Sequence, residues 1–82
     1  MTNEQIHNSL VRLTQYDLSK IAKIFGNDYY LVFTNDILRV NRKYSRDNIV
    51  FNLTRKIYMV NLTRTDSLVK KINETLKILG WQ

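Results

Sequence analysis

Residues 29–40 read YYLVFTNDILRV, and the fold turns on how that stretch is paired. Before it, apolar residues recur at helical spacing. From Tyr29 the period changes to two, with Tyr29, Leu31 and Phe33 alternating with Tyr30, Val32 and Thr34. Asn35-Asp36 breaks the alternation, and both side chains tolerate positive φ, so the pair predicts a two-residue hairpin turn. That turn sets Phe33 opposite Leu38, Leu31 opposite Val40 and Val32 opposite Arg39. One face then carries Tyr29, Leu31, Phe33, Leu38 and Val40, and the other carries Tyr30, Val32, Ile37, Arg39 and Asn41.

A second hairpin follows. Asn41–Asn48 (NRKYSRDN) is a polar, basic connection. Beyond it Ile49, Phe51 and Leu53 alternate with Val50, Asn52 and Thr54, and Ile57–Leu62 reads as the next strand. A two-residue loop at Arg55-Lys56 and a four-residue loop from Thr54 to Ile57 predict the same register, with Leu53 opposite Tyr58, Phe51 opposite Val60 and Ile49 opposite Leu62, six apolar or aromatic residues on one face.

Helical patterns flank the hairpins. Thr2 with Gln5 makes a capping box, and Ile6, Leu10 and Leu13, widened by Val11, give a stripe. The stripe slips near Thr14–Asp17 and resumes with Leu18, Ile21, Ala22, Ile24 and Phe25. One bent helix or two short ones fit, with Thr14 and Asp17 capping the second piece. Gly26 supplies a left-handed terminator. A last helix starts at Thr63 or Thr65, with Asp66 in its first turn. It has a stripe of Leu68, Val69, Ile72, Leu76 and Leu79, it ends at Gly80, and Trp81 folds back on the core or a partner. The expected architecture is one small basic α+β domain over residues 1–82. It consists of an N-terminal helix, a four-stranded antiparallel meander and a C-terminal helix (αββββα), with both helices over the face that holds Leu31, Phe33, Phe51 and Val60.

Composition narrows the function classes. The chain has 82 residues, 44% of them hydrophobic, and a net charge of +6. That apolar share is ordinary for a folded domain. Zero cysteines exclude a disulfide scaffold, a thiolate metal site and a cysteine nucleophile. His7 stands alone as histidine, so no metal or acid–base set is visible and no cofactor is expected. A non-enzymatic protein is expected, with a small ribonuclease using Arg, Lys and Tyr as a lesser alternative. No apolar run approaches the ~20 residues of a membrane span and no signal-peptide pattern opens the chain, so a cytoplasmic protein is expected, in a host cytoplasm if viral. Frequent Asn, Ile, Lys and Tyr suit an AT-rich genome, and a small phage or plasmid gene would fit.

The charge is uneven. Between Arg39 and Arg64 seven cations face a single carboxylate, Asp47, while the remaining charges cancel. The expected activity is therefore binding of RNA or single-stranded DNA, mainly through phosphates. Arg39, Arg42, Lys43, Arg46 and Arg55, with Lys56 and Asn41, would hold the strand, while Tyr30 and Tyr44 would stack on bases. The mixed outer sheet face also predicts a homodimer. The rival expectation is an inhibitor or antitoxin that docks Tyr30, Ile37, Ile57 and Met59 on a host enzyme. Lys20, Lys23, Lys70, Lys71 and Lys77 read as solvated helix positions.

Two resemblances bear on this reading. Leu18–Val32 (LSKIAKIFGNDYYLV) partly resembles the helix-turn-helix pattern at Ile21, Ala22, Phe25, Gly26 and Val32. Asn27 and Asn35 depart from it, and the residues after Tyr29 alternate as a strand. The order of four strands then a helix also resembles small single-strand binders of the Whirly type, in element order alone, and no residue role follows from it.

Overall fold

The computed structural model describes residues 13–63 and 68–81. Helix α1 (Gln15–Phe25) leads into strands β1 (Tyr29–Thr34), β2 (Ile37–Arg42), β3 (Asn48–Asn52) and β4 (Ile57–Asn61), and helix α2 (Val69–Leu79) follows. The strands form one antiparallel sheet in chain order, the meander expected. Tyr29–Thr34 is strand, so the helix-turn-helix resemblance does not hold.

Helix α1 has its own N-terminus. Thr14 is extended, its hydroxyl accepts the Asp17 N–H at 3.1 Å, and the Asp17 carboxylate accepts the Thr14 N–H at 3.3 Å. This reciprocal box satisfies two amides that a helix start leaves unpaired. The helix therefore begins at Gln15; the expected Thr2 cap and the Ile6–Val11 stripe lie outside the described residues. Gly26 closes the helix with its N–H on the Ala22 carbonyl at 2.9 Å. Its backbone (φ 84°, ψ −171°) is not the left-handed conformation expected. It is the mirror-extended region that glycine adopts readily, and it sends the chain straight into β1.

The first hairpin has the expected register, Phe33 against Leu38 and Leu31 against Val40. Of its turn pair, Asn35 takes positive φ, at 56°. The second hairpin is corrected by two residues: Phe51 pairs with Tyr58, Ile49 with Val60, and Asn52 with Ile57. The physical cause lies in Asn52 and Leu53. The Asn52 side chain accepts the Arg55 N–H at 3.0 Å and its carbonyl accepts the Lys56 N–H at 2.8 Å, which winds residues 53–56 into a four-residue loop. Leu53 leaves the strand, turns its N–H to the Asp36 carbonyl at 2.8 Å and is buried. Lys56 closes the loop at φ 57°. A slip of two keeps the parity of every side chain, so the two faces come out as expected.

The core lies between the helices and the central strands: Ile21 and Phe25 from α1, Leu38, Val40, Ile49 and Phe51 from the sheet, Leu53, and Leu68, Ile72 and Leu76 near or on α2. Burying each such side chain contributes roughly 1.5–3 kcal/mol. Helix α2 ends in a Schellman motif: Gly80 is left-handed, its N–H reaches the Lys77 carbonyl at 3.1 Å, and the Trp81 N–H reaches the Leu76 carbonyl at 2.9 Å. Trp81 folds back as expected, its ring 6.1 Å from Phe51.

Helix α2 starts at Val69, not at Thr63, and Leu68 at its N-cap makes no side-chain cap bond. Thr63 is occupied elsewhere. Its N–H and its hydroxyl both donate to the Asp47 carboxylate, each at 2.9 Å. Thr65 and Asp66 lie outside the described residues. Val69 is not core either, since it is 68% exposed, and buried Thr75 takes a place in α2, its hydroxyl on the Lys71 carbonyl at 2.8 Å. The expected cover over Val60 is incomplete. Tyr58 and Val60 stay 45% and 40% exposed, because α1 packs over β1 and α2 packs on α1, which leaves β4 at the uncovered margin.

Lys56→Val should destabilise by about 1–2 kcal/mol in urea unfolding, because a β-branched residue resists positive φ; Lys56→Gly should be neutral or stabilising. Equal midpoints for the two variants would contradict the loop geometry.

Candidate nucleic-acid interface

The register stacks the outer-face residues into three rows across the sheet. Tyr30, Asn41, Asn48 and Asn61 form the first, Val32, Arg39, Val50 and Met59 the second, and Thr34, Ile37, Asn52 and Ile57 the third. The first row is a tyrosine followed by three amides. Tyr30 is 50% exposed, and the Asn61 side-chain N–H donates to the Asn48 Oδ1 at 2.8 Å. An amide carries two donors and an acceptor with two lone pairs, so this bond uses part of what either side chain offers.

The β2–β3 loop, Lys43-Tyr44-Ser45-Arg46, adjoins that row. Its backbone is anchored from both sides. The Lys43 N–H donates to the Asp28 carbonyl at 2.7 Å, the Arg42 N–H to the Asp47 carbonyl at 2.9 Å, and the Asp47 N–H to Ser45 Oγ at 3.1 Å. Lys43, Tyr44 and Arg46 are exposed on this anchored frame, Tyr44 fully, with φ 59°.

Asp47 holds the frame. It is buried, and the Thr63 N–H, the Thr63 hydroxyl and the Arg42 guanidinium (3.5 Å) converge on its carboxylate. The Thr63 N–H does most to hold its pKa below the ordinary 3.8; the Thr63 hydroxyl and Arg42 add to this, against the opposing effect of burial.

The cations expected to act together are divided among four places. Arg39 stands exposed in the middle of the outer face, and Lys43 and Arg46 lie on the loop at the amide row. Arg55 and Lys56 lie on the β3–β4 loop at the opposite end, about 17 Å away for five-residue strands. Arg42 shares the helix-side parity of Leu38 and Val40 and pairs with Asp47. Tyr30, Arg39, Asn41, Lys43, Tyr44 and Arg46 are thus gathered, and Arg42, Arg55 and Lys56 are not. Near Arg55 the outer face is apolar. A shallow groove of about 210 Å³ there is lined by Ile37, Val50, Asn52, Ile57 and Met59, with Tyr58 at its margin.

The sequence does not single out Asn48 and Asn61: Asn48 falls in the expected loop, and the expected second register puts Asn61 opposite Val50. With the observed register both fall in line with Asn41. No helix among the described residues is long and apolar enough to cross a membrane. Comparison with protein-family models, curated proteins and solved structures gives no match to this chain.

Asp47→Asn should lower stability at neutral pH. Asp47 is more acidic folded than unfolded, so its contribution is full above the unfolded value and fades as pH falls through the folded one. Urea midpoints of the two proteins, taken from about pH 7 to about pH 2.5, should converge at the acid end. A constant gap would show that the carboxylate's charge is not what stabilises the junction.

Proposed function

We propose that the protein binds single-stranded nucleic acid, RNA or DNA, without catalysing a reaction on it. The observation that carries the reading is the row Tyr30–Asn41–Asn48–Asn61 lying beside the anchored Lys43–Arg46 loop. Bases would stack on Tyr30 and Tyr44, and the amides would meet their polar edges. Arg39, Lys43 and Arg46 would neutralise phosphates and release counterions. Three phosphate contacts to a single strand imply a log–log salt slope of roughly −2.

Fluorescence anisotropy of a short labelled oligonucleotide, titrated at several salt concentrations, tests this. Lys43→Ala/Arg46→Ala should flatten the slope by about 1–1.5, and Tyr30→Ala should weaken binding by about 1–3 kcal/mol. Arg55→Ala/Lys56→Ala should leave affinity nearly unchanged, and the oligonucleotide should be recovered intact. No binding at ~50 mM salt, where the electrostatic contribution is large, overturns the reading.

A second reading has its own support. The apolar groove, with Ile57 54% and Met59 64% exposed, suits a contact with a protein, such as a host enzyme that the chain inhibits. Under that reading Ile57→Asp abolishes inhibition, while under the first it spares oligonucleotide binding.

A further inference from the structure

Strand β4, Ile57-Tyr58-Met59-Val60-Asn61, is exposed at every position. It is an edge of the sheet, and its outer-face residues Ile57 and Met59 and its helix-side residues Tyr58 and Val60 are all open. The other edge differs, since α1 packs over β1 and the Phe25 and Tyr29 rings lie 5.5 Å apart. Folded proteins guard an edge with a charge, a proline or a bulge. β4 has none of these.

The hydrogen-bond phase of the sheet identifies which groups the edge offers. Leu53 bonds Asp36 and Arg42 bonds Asp47, so the odd-numbered residues of β3 turn their backbone toward β2 and the even-numbered ones toward β4. In β4, Ile57, Met59 and Asn61 therefore spend their backbone groups on β3. The N–H and C=O groups of Tyr58 and Val60 point away from the sheet.

We propose that a second copy of this chain pairs with β4, antiparallel, about a two-fold axis at Met59. This register sets Tyr58 against the partner's Val60 and Val60 against the partner's Tyr58, so the outward groups of both residues are paired at once. An aromatic against a β-branched residue is a favourable cross-strand pair. On the helix side the two pairs enter the depression lined by Tyr58, Val60, Leu68, Val69 and Ile72, and they cover exposed Val69. Ile57–Asn61 carries no charge, so two molecules of net charge +6 meet here without opposed like charges along the strand. The register is self-complementary about the two-fold axis, which suits a second copy of this chain, and closed two-fold pairing removes the open edge. The contact touches the amide row only at Asn61, which falls opposite the partner's Ile57, and it leaves Tyr30, Asn41, Asn48 and the Lys43–Arg46 loop uncovered.

The chain has no cysteine, so a single one reports position cleanly. Opposed residues in the wide pairs of an antiparallel ladder have Cα atoms about 4.5 Å apart, within disulfide reach. Mild oxidation of full-length Met59→Cys should give a near-complete disulfide dimer, whereas Thr34→Cys, on the far edge, should stay monomeric. Sedimentation of the unmodified protein across the micromolar range should show a monomer–dimer equilibrium. Tyr58→Lys should weaken it about tenfold or more, with its circular dichroism spectrum unchanged. A monomer at every concentration overturns the proposal. So does a dimer in which Met59→Cys fails to cross-link. Should Tyr58→Lys fail to fold, the cross-linking result alone decides.

Discussion

The Asp47 carboxylate ties together the end of β2, the β2–β3 loop and the exit of β4. Thr63, beyond β4, gives it an N–H and a hydroxyl, and Arg42, at the end of β2, gives it a guanidinium. Its own backbone closes the β2–β3 loop against Arg42 and Ser45. A buried carboxylate is tolerated only when its lone pairs are met, so the exit of β4 and the loop at Lys43–Arg46 are held in one arrangement. The presentation of Lys43, Tyr44 and Arg46 follows from that constraint, as does the point from which the chain departs for α2.

The same constraint changes what the charge of the chain means. A count of cations from Arg39 to Arg64 treats them as one surface, but the fold divides them. Arg42 serves Asp47 on the helix side, and Arg55 and Lys56 stand at the far end of the sheet. What remains near the amide row is a small electropositive frame around hydrogen-bonding and stacking groups. Its proposed affinity for a polyanion is accordingly modest in charge and richer in base contacts than the net +6 suggests.

Uneven cover by the helices governs the other margin. α1 packs over β1, α2 packs on α1, and Trp81, just past the end of α2, meets Phe51 of β3. An 82-residue chain has little surface with which to seal a four-stranded sheet, and β4 is the strand left open.

Much of the fold was legible in the residues themselves. The shift from helical to alternating spacing at Tyr29 located the sheet, the Thr14–Asp17 box and Gly26 bounded α1, and Asn35-Asp36 set the first register, because each is a local property of a few neighbouring residues. The second register was not legible. Two pairings of equal parity satisfy the same apolar pattern, and the choice fell to Asn52 capping the loop and to Leu53 bonding Asp36 across the sheet. The amide row depended on that choice, since Asn61 meets Asn48 in only one of the two pairings. The capture of Thr63 by Asp47 was equally hidden, because residues 16 apart in sequence meet only after β3 and β4 have paired. Periodicity and caps, being short-range, could be read from the chain alone; slips of two, long-range hydrogen bonds and the division of charge between the faces were decided by tertiary structure.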